Sequence, residues 1–155
     1  MKQVYILSKR RFDDLMKGKL IFDANVEEYK KTAIISINSP NELEGDMEPW
    51  FKEDKSNVLR LFFDDVEESF LHKGKMIVPM SIEQGIQVIK FFEDNKDKES
   101  LIVHCAAGVS RSGAVGTFAA EYFNIDMDSF RATNRFISPN AKVMTILRNL
   151  HQPHQ

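Results

Sequence analysis

The chain has 155 residues, 43% of them hydrophobic with twelve Phe, 28% charged, and a formal net charge of −2. This length suits one domain with a sizeable core, expected over residues 1–150 with a flexible tail at 151–155, and the near-neutral balance carries no polyanion-binding signature, so nucleic acid is not an expected partner. Residues 1–9 hold too short an apolar run for a signal peptide and no later stretch reaches membrane-spanning length, so no membrane association is expected. A single cysteine cannot staple a fold, and four scattered histidines show no metal-ligand spacing. No metal or cofactor is expected.

In chain order, Val4 to Leu7 reads as a short strand, and Ser8 as the N-cap of a helix through Met16 that Gly18 stops. Ala33-Ile34-Ile35-Ser36-Ile37 is an apolar run ended by Asn38-Ser39-Pro40, a buried strand entering a turn. The acidic stretch from Asn41 to Asp54, interrupted by Trp50 and Phe51, reads as loop or short helix with a solvated face. Val58 to Phe63 is the next strand. Ser81 with Gln84 three residues on is a capping-box pattern, and Ile82, Ile86, Ile89 and Phe91 or Phe92 recur at helical spacing through about Asp94, predicting a helix with these residues in the core. Leu101 to Val103 predicts a strand, followed by an Ala- and Gly-rich helix from Arg111 to Phe123 able to pack closely on a sheet. Two more helices are predicted, Asp126 to Phe136 and Asn140 to Leu150, before a frayed tail from His151. The alternation implies an α/β layer fold, with a central mixed sheet of about four to five strands flanked by helices.

The cysteine lies in Ile102-Val103-His104-Cys105-Ala106-Ala107-Gly108-Val109-Ser110-Arg111-Ser112-Gly113. A buried strand ends in a thiol, a short glycine-bearing loop follows, and an arginine opens a helix. Loop and first-turn N–H groups have no intrahelical partners, and the helix dipole adds positive potential, so the segment is an anion site. The same field lowers a thiol pKa from about 8.5 into the range of about 3.5–7.5, making Cys105 a thiolate at neutral pH. Arg111 presents a planar fork that can grip two phosphoryl oxygens. Gly108 suits a place where backbone approaches phosphate or takes a positive φ.

His104-Cys105-x5-Arg111-Ser112 resembles the signature of the cysteine-dependent protein tyrosine phosphatases, and Gly108-Val109-Ser110-Arg111-Ser112 is most similar to their small dual-specificity branch. His104, Gly108, Arg111 and Ser112 are four required identities around one cysteine, so chance agreement is roughly one in ten thousand or rarer. The resemblance implies a dual-specificity-phosphatase-like fold, a phosphocysteine intermediate, substrate binding by Ala106, Ala107, Gly108, Val109, Ser110 and Arg111, and a Ser112 hydroxyl that eases departure of the thiolate. It also implies a general acid on a loop some tens of residues before the cysteine. Asp64 and Asp65 follow a buried strand in that interval. Asp65 is chosen because the family's pattern of spaced apolar residues ending in aspartate aligns better when Leu61, Phe63 and Asp65 form the series; the competing reading makes both turn residues beside Glu67 and Glu68. His104 either orients the loop or is a satisfied core histidine. Ile137-Ser138-Pro139-Asn140 resembles the family's Pro-Asn step, which implies that Asn140 supports the catalytic loop, although an asparagine there is also a good N-cap.

The expected function is therefore hydrolysis of a phosphomonoester, from a phosphorylated protein or a small molecule, by a monomeric cytoplasmic enzyme. No Trp-Pro-Asp acid loop and no long N-terminal extension is present, which implies a shallow cleft open to phosphoserine and phosphothreonine. Inositol phosphates are the alternative substrate, disfavoured by the uncharged Ala106, Ala107, Val109 and Ser110. A non-catalytic phospho-binding module, and a sulfur-transfer or redox role for the thiol, are the readings from other classes.

Overall fold

The computed structural model describes residues 1–19, 27–40 and 48–152. Along the chain run β1 (Gln3–Ser8), α1 (Lys9–Lys19), α2 (Glu27–Lys30), β2 (Thr32–Asn38), β3 (Val58–Phe62), β4 (Phe70–His72), β5 (Lys75–Ile77), α3 (Ile82–Asp94), β6 (Ser100–Cys105), α4 (Arg111–Tyr122), α5 (Met127–Thr133) and α6 (Ala141–His151). The architecture is α/β, with a four-stranded sheet in the order β1-β6-β2-β3. Its pairings are all parallel, so the sheet is not mixed as expected; the antiparallel pair β4-β5 stands apart as a hairpin.

Parallel strands covered on both faces carry near-continuous apolar runs, and β2 is buried at every position. Alternation divides its side chains between two cores. Ala33, Ile35 and Ile37 join Leu59, Leu61, Phe63, Leu101 and Val103 on the face where Val88, Phe92, Phe118 and Leu147 pack. Ile34 joins Phe12, Met16, Tyr29, Phe51, Val58 and Ile102 on the other. Among the described residues no helix is long and apolar enough to cross a membrane.

Several boundaries differ from expectation. Helix α1 is capped by Ser8, whose Oγ accepts from Arg11 N at 3.1 Å, but it runs through Gly18 to Lys19. Gly18 has nothing within 4 Å of a built Cβ and no positive φ, so it acts as a permissive helical residue and not as a stop. Of the acidic stretch, residues 41–47 lie outside the described residues, and 48–54 hold bends and no helix. Helix α3 has the expected capping box between Ser81 and Gln84, but Ile82 and Ile86 are 59% and 53% exposed, correcting their place in the core. The inward face is Gly85, Val88, Phe91 and Phe92, with Ile89 partly buried against it. At Gly85 a Cβ would lie 2.8 Å from both Ile146 and Leu150, so α6 closes over the bare backbone and turns the isoleucines outward. His151 belongs to α6 and packs against Phe118 and Tyr122, whereas 153–155 lie outside the described residues. The hairpin β4-β5, turning through Lys73 and Gly74 at φ 51° and 78°, was not expected.

Helix α5 ends at Thr133 instead of Phe136 because Asn134 leaves the helix to serve the sheet. Its Oδ1 accepts from Ile6 N at 2.9 Å, and its Nδ2 donates to Val4 O at 2.9 Å and to Phe130 O at 3.1 Å. Strand β1 is an edge strand, and this amide stands in for the neighbouring strand it lacks. Asn134→Ala leaves a buried donor and acceptor of β1 unpaired and should cost about 2–3 kcal/mol, read as a lower midpoint in urea unfolding with an unchanged slope.

Candidate active site

Ligands of parallel α/β sheets gather beyond the carboxyl ends of the strands, and there the sequence motif comes to rest. Strand β6, second in the sheet, ends at Cys105 beside Ser8 at the end of β1. The chain loops through 106–110 and enters α4 at Arg111. Gly108 has φ 71°, and a Cβ on it would fall 2.4 Å from Ser8 N and 2.6 Å from the Leu7 carbonyl carbon. Conformation and space both exclude a side chain there. The loop backbone is tied down by Lys9 N to Ala106 O at 3.1 Å, Ser138 N to Val109 O at 2.9 Å and Asn140 N to Ser110 O at 3.1 Å. Ser110 precedes α4 but makes no side-chain cap, so the first-turn N–H groups are left for another acceptor.

The Cys105 sulfur lies 3.0 Å from Ser112 Oγ and accepts from Gly108 N at 3.3 Å. Burial pushes the thiol up, but the Ser112 hydroxyl, the Ser112 and Gly108 N–H groups and the charge of Arg111 outweigh it and hold the pKa below the ordinary thiol value.

Arg111 is 6% exposed. Its Nη1 donates to Ser39 Oγ at 2.8 Å and to Phe63 O at 2.9 Å, joining the ends of β2 and β3 to the loop. Its Nε is buried without a partner, and among the described residues no carboxylate pairs with the guanidinium. A buried cation in that condition is strongly destabilising unless an anion completes it.

His104 is fully buried, stacks on Phe12 with ring centroids 4.2 Å apart, and shares a 2.7 Å hydrogen bond from Nε2 to Ser36 Oγ, which also accepts from Asn38 Nδ2. Burial first, then the positive charge of Lys9, holds its pKa down at about 3. It is a buried imidazole behind Cys105 whose Nε2 bond reaches Ser36 on β2 and not the loop, while its Nδ1 is buried without a partner.

The two aspartates part company. Asp65 is exposed, and its Oδ1 accepts from Ser110 Oγ at 2.7 Å and from Asn140 Nδ2 at 2.9 Å, which seats it against the loop. Asp64 is buried and turned away, with Oδ2 accepting from Val78 N at 2.9 Å. Asn140 caps α6, its Oδ1 accepting from Val143 N at 3.1 Å, and its main-chain N–H donates to Ser110 O in the loop before α4. Sequence reasoning missed Ser39 and Ser36. Ser39 sits in a turn just beyond a buried parallel strand, and that position is the signal that could have found it.

The sequence matches no protein-family model and no curated protein. Solved structures do match. The chain is similar to the human tyrosine phosphatase-like serine/threonine/tyrosine-interacting protein at 21% identity and TM-score 0.54, over 90% of this chain and 86% of that one. It is similar to DUSP15 at 21% identity and TM-score 0.54, over 97% and 83% of the two chains. The fold is that of the dual-specificity phosphatases. The Cydia pomonella PTP-2 phosphatase shares it at 13% identity and TM-score 0.56, over 96% of this chain and 86% of that one. Within this phosphatase fold the motif cysteine, arginine and serine converge at the carboxyl edge of the sheet.

The hydroxyl of Ser112 stabilises the charged form of the thiol, so Ser112→Ala should raise the Cys105 pKa. A hydrogen bond to a charged group is worth about 1.5–3 kcal/mol, so the thiolate titration should move up by about one pH unit or more. Ultraviolet absorbance of the thiolate against pH reads this directly, and an unmoved curve would leave the N–H groups and the Arg111 charge as the stabilisers.

Proposed function

We propose that this chain is a phosphomonoester hydrolase acting through a phosphocysteine at Cys105. The observation that carries the reading is Arg111: a buried guanidinium with Nη1 held by two protein acceptors, Nε unpartnered and, among the described residues, no carboxylate in ion-pair contact, next to a thiol whose pKa is lowered. Such a pair calls for an anion that is also an electrophile.

In the first step the Cys105 thiolate attacks phosphorus in line. The S–P bond forms as the bond to the leaving oxygen breaks, and Asp65 gives that oxygen its proton. Arg111 and the loop N–H groups hold the equatorial oxygens. In the second step water attacks phosphorus, its proton passes to Asp65, and the S–P bond breaks with the Ser112 hydroxyl donating to the departing thiolate. Oδ1 of Asp65 is taken by Ser110 and Asn140, which leaves Oδ2 to carry the transferred proton. The uncharged Ala106, Ala107, Val109 and Ser110 favour a phosphorylated protein or small phosphomonoester over an inositol phosphate. A thiolate nucleophile in a chain with one cysteine suits a reducing, cytoplasmic setting.

The neighbour named a phosphatase-like interacting protein raises a second reading, phosphate recognition without turnover. Cys105→Ser separates the two. A serine hydroxyl does not ionise there, so turnover of an aryl phosphate should fall to background while phosphate binding persists; wild-type turnover should survive chelator and be blocked by vanadate. Wild-type protein that binds phosphate without hydrolysing any substrate would establish the second reading.

Asp65→Asn should lower turnover of phosphotyrosine and alkyl phosphates by about 10²–10⁴-fold, the range for a positioned acid, with a smaller loss on an activated aryl phosphate whose leaving group needs no proton. Steady-state kinetics on the two substrate classes check it, and equal losses would place the acid elsewhere.

A further inference from the structure

The proposed reaction leaves one buried carboxylate unused. Asp64 is 8% exposed, beside an Asp65 that stands in solvent. It is occupied by the main chain of one residue: its N–H donates to Val78 O at 2.7 Å, and its Oδ2 accepts from Val78 N at 2.9 Å. A third bond, Val66 N to Asp64 O at 2.9 Å, closes a tight turn around Asp65.

These bonds have a place in the chain that gives them meaning. Residue 66 is where the chain leaves for the β4-β5 hairpin and residue 78 is where it returns, so Asp64 clasps the hairpin at its root. Upstream, Phe63 is fixed by its N–H to Asn38 O at 3.0 Å and by Arg111 Nη1 on its carbonyl. Downstream, Asn140 Nδ2 donates to Val66 O at 3.3 Å. The hairpin itself exposes Phe70, Leu71 and Met76 and lies outside both cores, so little but its root holds it. Substituting Asp64 removes the Oδ2 half of the clasp and leaves the main-chain bond to Val78 O, so among the described residues the hydrogen bonds that then hold the hairpin root are that one and those of Asp65 and Val66.

We propose that Asp64 is a positioning residue for proton transfer: by clasping Val78 at the hairpin root it fixes the backbone from which Asp65 presents its carboxyl to the phosphate cradle. This rests on the phosphatase reading, and it gives Asp64 a function through Asp65 that a residue merely stabilising the fold does not have. A merely structural aspartate affects all substrates alike. A positioning one affects those that need the proton.

The test compares turnover of an activated aryl phosphate with that of an alkyl phosphate in the wild type, Asp64→Ala, Asp64→Asn, Asp65→Asn and the Asp64→Ala/Asp65→Asn double variant. Asp64→Ala should lower alkyl phosphate turnover about 10²-fold more than aryl phosphate turnover, the scale of a displacement of about 1 Å. Asp64→Asn keeps an acceptor oxygen for Val78 N and should return the ratio to within about threefold of wild type. In the Asp65→Asn background, Asp64→Ala should leave the ratio where it is, because the group it positions is gone. If Asp64→Ala does not fold, Asp64→Glu, which keeps the charge but displaces the oxygens by a methylene, replaces it with the same expectation. Equal losses on both substrates, an Asn variant as selective as the Ala variant, or a further change in the double variant would each overturn the proposal with the phosphatase reading intact. A wild type that hydrolyses neither substrate would overturn that reading itself.

Discussion

Arg111 is the point on which the site depends. A guanidinium taken out of water needs hydrogen-bond acceptors in all directions, and the fold supplies them only on one side, from Ser39 and the Phe63 carbonyl. Those two acceptors come from the ends of β2 and β3, and the arginine opens the helix that follows β6. One side chain therefore ties together the carboxyl ends of three adjacent parallel strands, with its Nε left without a partner. Among the described residues no carboxylate pairs with the guanidinium. A buried guanidinium satisfied on one side only is energetically costly, and that asymmetry is what the proposed anion would relieve.

The same linkage joins the acid to the cradle. Phe63, whose carbonyl Arg111 holds, is followed directly by Asp64 and Asp65. Ser110, the residue before Arg111, gives its hydroxyl to Asp65 instead of capping α4. Asn140 starts α6 and braces both the loop and Asp65. Cys105, Arg111 and Asp65 thus sit in one hydrogen-bonded unit rooted in the sheet and two helix starts. Short paths of this kind hold reacting groups in register better than a separate mobile arm does.

Behind the unit, the sheet edge and the buried histidine supply stiffness. Asn134 satisfies the outer edge of β1, the strand against whose end Gly108 packs. His104 and Ser36 link β6 to β2 immediately below the nucleophile. Neither residue reaches the cradle, yet each fixes a strand end that the cradle uses.

The sequence alone carried the four strands of the sheet, the capping box at Ser81, the N-caps at Ser8 and Asn140, and the strand-loop-helix around Cys105, because each is written in a few contiguous residues. The choice of Asp65 over Asp64 rests on the family pattern of spaced apolar residues ending in aspartate, and the two do differ in the structure, Asp65 exposed against the loop and Asp64 buried. What sequence misjudged was decided between elements. Ile82 and Ile86 have the spacing of a buried face, but Gly85 lets α6 approach and rotates that face outward. Asn134 reads as helix until the unpaired edge of β1 takes its side chain. The hairpin after Asp65 has no strong apolar alternation, and Ser39 becomes a partner of Arg111 only because two strand ends lie side by side. Local periodicity and motif spacing record what a segment can form; which face turns inward, where a helix stops and which distant acceptor meets a buried charge follow from packing between segments far apart in the chain, and only the tertiary structure determines that.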